Sequence, residues 1–143
     1  MIEIRQAVEA DELAICSFYH IAQYDNKQKQ FIIDAVSAEH CFVAVVDGNV
    51  VGFIVLDYTF YACGFISLLY VHPDFRRQGI GSELIRHVET ICQTEKLFTS
   101  ANESNVSMQS LLCELGYVRS GTIENLDEGD PEWVYFKRPA KRT

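Results

Sequence analysis

The chain opens on alternation. Ile2 to Val8 switches between apolar and polar residues, the period of a half-buried strand. From Ala10-Asp11-Glu12 the spacing turns helical through Leu13, Cys16, Phe18 and Ile21, with acids in the first turn where they favour the helix dipole. A second helical stretch covers about Gln28 to Glu39, with Phe31, Ile32, Ala35 and Val36 on one face. At Cys41 the period shortens again. CFVAVV and VVGFIVLDYTF flank Asp47-Gly48-Asn49, which predicts a hairpin about an Asp-Gly turn, and GFISLLYV adds a third strand over residues 64–71.

His72-Pro73-Asp74 ends that strand, because proline cannot extend the ladder. Ile80, Leu84, Ile85, Val88, Ile91 and Cys92 then fall at helical spacing and predict a helix over about 79–95. A short strand follows over 97–101. Residues 105–115 read as a helix with Asn105 as its N-cap and Gly116 as its stop. Two last strands, over 117–123 and 133–136, are separated by the turn-rich acidic loop NLDEGDP. The predicted order is β-α-α-β-β-β-α-β-α-β-β, an α/β chain around one mixed sheet. With no repeat or linker in the way, residues 1–143 read as one domain.

Composition narrows the function classes. Of 143 residues, 48% are hydrophobic and 22% charged, the usage of an ordinary globular domain that needs no disulfide or metal to fold. A net charge of -8 argues against a nucleic-acid partner, and no apolar run is long enough to span a membrane. MIEIRQAVEADE lacks the basic and apolar regions of a signal peptide, so a cytoplasmic location is expected. The five cysteines (16, 41, 63, 92 and 113) form no C-x-x-C pair and the four histidines are dispersed, so no metal centre is expected. Each thiol is expected to pack as a small hydrophobe.

Candidate chemistry sits in LLYVHPDFRRQGIGS, residues 68–82. Gly79 and Gly81 remove Cβ atoms where a loop becomes a helix, so an anion can approach the main chain closely. The first N–H groups of that helix have no intrahelical partner, and the dipole places partial positive charge there. Arg76 and Arg77 add guanidinium groups. Together these make a phosphate or diphosphate site. The plain alternative is a tight turn with two solvated arginines. A Rossmann fingerprint would need a third glycine where Leu84 stands, and a Walker A loop would need Gly-Lys-Ser/Thr where the chain has Gly-Ser-Glu.

Arg76-Arg77-Gln78-Gly79-Ile80-Gly81 resembles the Arg/Gln-x-x-Gly-x-Gly/Ala motif of the GNAT superfamily of N-acetyltransferases. Leu69-Tyr70-Val71-His72-Pro73 is similar to that family's fourth strand, and Asn105 with Leu111 to Tyr117 resembles a later family segment. The resemblance implies a GNAT-like fold and acetyl-CoA as co-substrate. The diphosphate would be held by main-chain amides at Arg77, Gln78, Gly79, Ile80, Gly81 and Ser82, with Arg76 beside them. The pantetheine arm would pair with the fourth strand at Leu69 and Val71, next to Tyr70. An N–H near Leu69 would face the thioester carbonyl, an oxyanion donor worth ~2.7–4 kcal/mol in other enzymes. The acceptor it implies is an amine, on a small molecule or a protein, and a homodimer is among the assemblies it allows.

A free amine must be supplied, since an alkylammonium titrates near ~10.4. Family members often carry a carboxylate on the fourth strand, and GFISLLYV has none; where they place a general-acid tyrosine, this chain has Leu112. Catalysis is then left to proximity and backbone electrostatics, with Leu69, Tyr70 and Asn105 as the catalytic candidates and Ser67 as a further helper. For Tyr70 the plain alternative is strand packing, and for Asn105 a helix cap. The acids Glu124, Asp127, Glu128, Asp130 and Glu132 form either a solvated loop or a rim that attracts a cationic amine. Two other readings stay open: an acyl-CoA-binding sensor without catalysis, and a mononucleotide-binding domain.

Overall fold

A computed structural model describes residues 1–140; the last three residues of the expected 1–143 domain lie outside the described residues. Two compact units are formed, Met1–Leu56 with Leu68–His87, and Asp57–Ser67 with the chain from Val88 onward.

In the first unit, β1 (Ile2–Gln6), β2 (Cys41–Val46) and β3 (Asn49–Phe60, whose residues from Asp57 on belong to the second unit) pair antiparallel in chain order. The expected hairpin turn is present, with Asp47 at φ 50° and Gly48 at φ 80°. Positive φ at both central residues matches the right-handed twist of the flanking strands, which is why Asp-Gly signals this turn. Ile15, Phe18, Ile32, Val36, Val43 and Phe53 are buried together, each worth about 1.5–3 kcal/mol for the larger side chains.

The first helical stretch is divided. α1 (Glu12–Phe18) ends where Tyr19 leaves the helical region at φ -87°, ψ 77°, and a single turn, α2 (Ile21–Tyr24), follows. Gln23 Nε2 donates to the Cys16 carbonyl at 2.9 Å, satisfying one of the last acceptors of α1. Apolar spacing conceals this break, because Phe18, Ile21 and Ala22 keep the i+3, i+4 pattern across it. α3 (Asn26–Ser37) starts earlier than expected because the Asp25 carboxylate accepts from the N–H groups of Lys27 and Gln28, at 2.9 and 3.4 Å. Ahead of α1, Asp11 is a buried acid. It accepts from Arg5 Nη1 and Nη2 at 2.8 and 2.9 Å and from the Val8 N–H at 2.8 Å.

β4 (Cys63–Val71) passes through both units, as does α4 (Ile80–Ile91). In the second unit, Gly64, Phe65 and Ile66 of β4 pair parallel with Leu97, Phe98 and Thr99 of β5 (Leu97–Asn102). β5 pairs antiparallel with β7 (Glu132–Lys137), and β7 with β6 (Val118–Ile123). α4 stops short of the expected residue 95 because Thr94 Oγ1 accepts from the Gly64 N–H at 2.9 Å and donates to the Lys96 carbonyl at 2.7 Å, drawing the chain into a turn. Asn105 Oδ1 accepts from the Met108 N–H at 3.2 Å, so the expected cap of α5 (Val106–Glu114) is present, and Gly116 at φ 91° ends it. The Tyr117 hydroxyl donates to Glu89 at 2.7 Å, and Lys137 Nζ donates to Glu89 and to the Leu115 carbonyl, at 3.1 and 2.7 Å. Burial, and then the Glu89 carboxylate, push the Tyr117 phenol well above its ordinary range.

The strand order is β1-β2-β3-β4-β5-β7-β6, a mixed seven-stranded sheet, so the α/β expectation holds with one helix split in two. No helix among the described residues is long and apolar enough to cross a membrane. All five cysteines are free thiols. Burial raises Cys41 to about 12, whereas Cys113 is exposed and corrects the expectation that every thiol is packed away. Its position on the outer side of α5 was hidden by the apolar neighbours Leu111 and Leu112.

Candidate functional site

The end of β4 leads directly into the glycine turn, and all of it lies in the first unit. Gly52 of β3 makes this arrangement possible. A Cβ there would stand 3.2 Å from Ile80 Cγ2, 3.3 Å from the Tyr70 carbonyl oxygen and 3.4 Å from Leu84 Cδ1. With hydrogen in that place, the first turns of α4 sit close on β3. Ile80 and Leu84 are fully buried anchors, at 1% and 0% exposure, so their side chains are held in the core and are not offered to a ligand.

Between Val71 and Ile80 the path is set by local bonds. Pro73–Phe75 form a 3-10 turn, and His72 Nδ1 accepts from the Asp74 N–H at 3.0 Å. That acceptor role fixes the proton on Nε2 whenever the ring is neutral. In the sequence His72 stands out only as part of the strand-breaking His72-Pro73-Asp74; the signal for its bond is an acceptor side chain two residues before a turn N–H. Arg77 then adopts φ 63° and Gly79 φ 81°, both left-handed. Nothing lies within 4 Å of the place a Gly79 Cβ would occupy. Arg76, Arg77, Gln78 and Gly79 are exposed. The Glu83 N–H bonds to the Gly79 carbonyl at 3.0 Å, the first bond of α4. Helix geometry therefore leaves the N–H groups of Ile80, Gly81 and Ser82 without a carbonyl four residues back, and glycine has no side chain to cap them. An open, positively polarised bend results, fit for an anion.

Tyr70 is fixed by rings. It stacks on Phe18 with centroids 6.2 Å apart and meets Tyr19 edge-on at 5.0 Å, while the Arg76 guanidinium lies over the ring, 5.1 Å from its centroid. Aromatic packing is thus part of its role, as the plain alternative held. Tyr19 donates its hydroxyl to Gln28 Oε1 at 3.1 Å, and burial raises its phenol. Leu69 and Val71 flank Tyr70 on β4, beyond Ile66, where the pairing with β5 ends. Thr99 marks that end: the residue is buried, and its hydroxyl donates to the Ile66 carbonyl at 3.0 Å.

Other expected site residues belong to the second unit. Asn105 commits its Oδ1 to the helix cap. Leu112, at 0% exposure, is a core residue. Ser67 Oγ is buried and has no hydrogen-bond partner among the described residues. A ligand cannot reach an oxygen that water cannot, so as it stands Ser67 is no helper to catalysis. An unpartnered buried hydroxyl costs free energy. Ser67→Ala is therefore expected to stabilise the protein by about 1 kcal/mol in urea denaturation; a loss of that size would reveal an unrecognised partner.

The acidic loop is partly structural. Asp130 accepts from the Ser104 N–H and hydroxyl at 3.0 and 2.6 Å, and Asp127 accepts from Asn102 Nδ2 at 2.9 Å. These two carboxylates tie the loop down. Glu124 and Glu128 are exposed. Neutralising Asp127, Glu128 and Asp130 together would unpin the loop as well as remove charge, so Glu124→Gln with Glu128→Gln is the cleaner test of a charged rim.

The model of the Acetyltransferase (GNAT) family matches residues 5–117. A peptidyl-lysine N-acetyltransferase, YjaB, of Salmonella typhimurium is 29% identical over 109 residues, which are 76% of this chain and 70% of that protein. The mycothiol acetyltransferase of Salinispora arenicola is 38% identical over 89 residues, 62% of this chain; the match spans only 29% of that relative's length. Among solved structures, an acetyltransferase of the GNAT family from Bacillus cereus ATCC 10987 superposes with a TM-score of 0.92 at 33% identity, covering 98% of this chain and 99% of that one.

Proposed function

Since the chain belongs to the GNAT acetyltransferase family, we propose that it moves an acetyl group from acetyl-CoA to an amine, with residues 1–143 acting as one acyl-CoA-binding domain. The observation that carries this reading is the bend at Gly79. A left-handed glycine with open space around it runs straight into a helix, and a glycine in that place has no side chain of its own to cap the first amides. That main chain suits a diphosphate, with Arg77 to Ser82 as its cradle and Arg76 beside it.

The co-substrate supplies an activated acyl group, and the chain's part is to hold and orient it. The N–H and C=O groups of Leu69 and Val71 serve as the strand to which an extended pantetheine arm adds. A Leu69 N–H is the donor for developing negative charge. Tyr70 keeps β4 in place through its ring contacts and offers its phenol to the acceptor; Asn105, whose Nδ2 alone is left by the helix cap, is proposed as a further polar group on the family resemblance only. With no carboxylate on β4 and Leu112 buried, the acceptor must arrive as a free amine or lose its proton to solvent. The two relatives are named for mycothiol and for peptidyl-lysine, two different acceptors, so the acceptor of this chain is proposed only as an amine. The expected setting is the cytoplasm.

Thermal denaturation with acetyl-CoA, followed by thiol release across a panel of small amines and lysine peptides, tests this. Acetyl-CoA at 100 times its dissociation constant should add about 2.7 kcal/mol to stability. Thiol release with at least one amine completes the reading. Binding without turnover on any acceptor turns the assignment to an acyl-CoA sensor, and stabilisation by ATP or NAD alone defeats it.

A further inference from the structure

On the reading that β4 receives the pantetheine arm, we propose that Arg76 is a placeholder for that arm: it occupies the Val71 carbonyl the arm needs, and on release carries its charge to the diphosphate. Arg76 thereby couples the two halves of the coenzyme.

The direction of the Val71 carbonyl follows from its neighbours. The His72 N–H donates to the Val51 carbonyl of β3 at 2.7 Å. In an antiparallel ladder the N–H and C=O of one residue point to the same side, and the side alternates along the strand. Val71, one residue earlier, therefore points its N–H and C=O away from β3. Tyr70 fits the same phase, since its carbonyl oxygen lies beside Gly52 of β3. The side to which Val71 points is the one on which β4 has stopped pairing with β5 at Ile66. An arm adding to β4 would have to use this carbonyl.

Arg76 already holds it. Its Nε–H donates to the Val71 carbonyl at 3.1 Å, and its guanidinium lies 5.1 Å above the Tyr70 ring. The side chain is exposed, so these two contacts keep it folded back onto β4 rather than extended towards the bend. An arm amide and the Arg76 Nε–H are donors competing for one outward acceptor. Displacement frees a guanidinium three residues before Gly79, beside the amides assigned to the diphosphate. Binding the arm thus makes the charge available, and drawing the charge to the diphosphate uncovers the carbonyl.

The two halves can be measured apart. Pantetheine and ADP are titrated separately into the full-length protein, its Arg76→Ala variant and its Arg76→Gln variant, by NMR at one fixed salt concentration. Arg76→Ala should bind pantetheine about threefold to tenfold more tightly, as a competing hydrogen bond is lost, and ADP more weakly by a similar factor. Arg76→Gln keeps a neutral donor for Val71, so pantetheine affinity should stay near the original value while ADP weakens. Weaker pantetheine binding by Arg76→Ala would make Arg76 a brace and overturn the proposal. So would unchanged pantetheine affinity with only ADP weakened, the behaviour of a simple phosphate contact, or unchanged ADP affinity. If the unsubstituted protein binds neither fragment nor coenzyme A, the acyl-CoA reading itself has failed; if it binds coenzyme A and the fragment effects do not oppose, only the placeholder has.

Discussion

Gly79→Glu is expected to weaken coenzyme A binding by at least about 100-fold while leaving the fold intact. Two effects act on the site together. The glutamate side chain carries its carboxylate, two methylenes out from Cα, into the space where the diphosphate should approach the amides, and two like charges ~5 Å apart repel by about 3 kcal/mol at an effective dielectric constant of 20. A factor of 100 in binding corresponds to about 2.7 kcal/mol, so repulsion alone suffices. The fold suffers less. Gly79 has φ 81°, which costs an L-residue about 1–2 kcal/mol, but no atom lies within 4 Å of the new Cβ, so there is no clash to add. Gly79→Asn separates the two effects, because asparagine tolerates the left-handed region and carries no charge. It should keep most of the stability and lose roughly tenfold in affinity, by removing the close approach alone. Calorimetric titration with coenzyme A, with the melting temperature of each variant as a control, reads both. A folded Gly79→Glu protein that binds within threefold of the original would remove the bend as the anion site.

The same bend shows what a sequence can carry. Gly79, the Asp47-Gly48 turn, the Asn105 cap and the Gly116 stop are each governed by a residue and its immediate neighbours, through φ preference or a side chain reaching two or three residues on. Those were legible. What escaped depends on partners distant in the chain or on where a side chain turns. The break after α1 rests on Gln23 reaching back to Cys16. Asp127 and Asp130 looked like free charge, yet Asn102 and Ser104, more than twenty positions earlier, take them up. Arg76 read as a phosphate ligand by type, and its folding back onto Val71 is a matter of rotamer. Asp11 read as a first-turn acid favouring the helix dipole; its main partner is Arg5, on the preceding strand.

That last misreading has the largest consequence for stability. Asp11→Ala is expected to cost about 2–4 kcal/mol, well above the median for a surface ion pair. The carboxylate side chain is 8% exposed, and it accepts two parallel bonds from Arg5 and one from the Val8 N–H. Removing it strands a guanidinium and an N–H at once. The Arg5 side chain remains 38% exposed, so water can solvate part of what is lost, which keeps the cost below that of a fully buried pair. The pH dependence has a definite sign. The hydrogen bonds from Arg5, opposed by burial and assisted by Val8, hold the Asp11 carboxyl below its ordinary range. A carboxyl lowered on folding contributes stability above its unfolded value of about 3.9, and that contribution is lost as pH falls through the folded value. Urea midpoints of the original protein should therefore fall more steeply between about pH 5 and pH 2 than those of Asp11→Asn, and the gap between the two should close towards the acid end. Arg5→Ala should be no more than additive with Asp11→Ala, since each removes the same pair. Parallel acid limbs in the two proteins, or a cost under about 1 kcal/mol at neutral pH, would reduce this contact to an ordinary surface bridge.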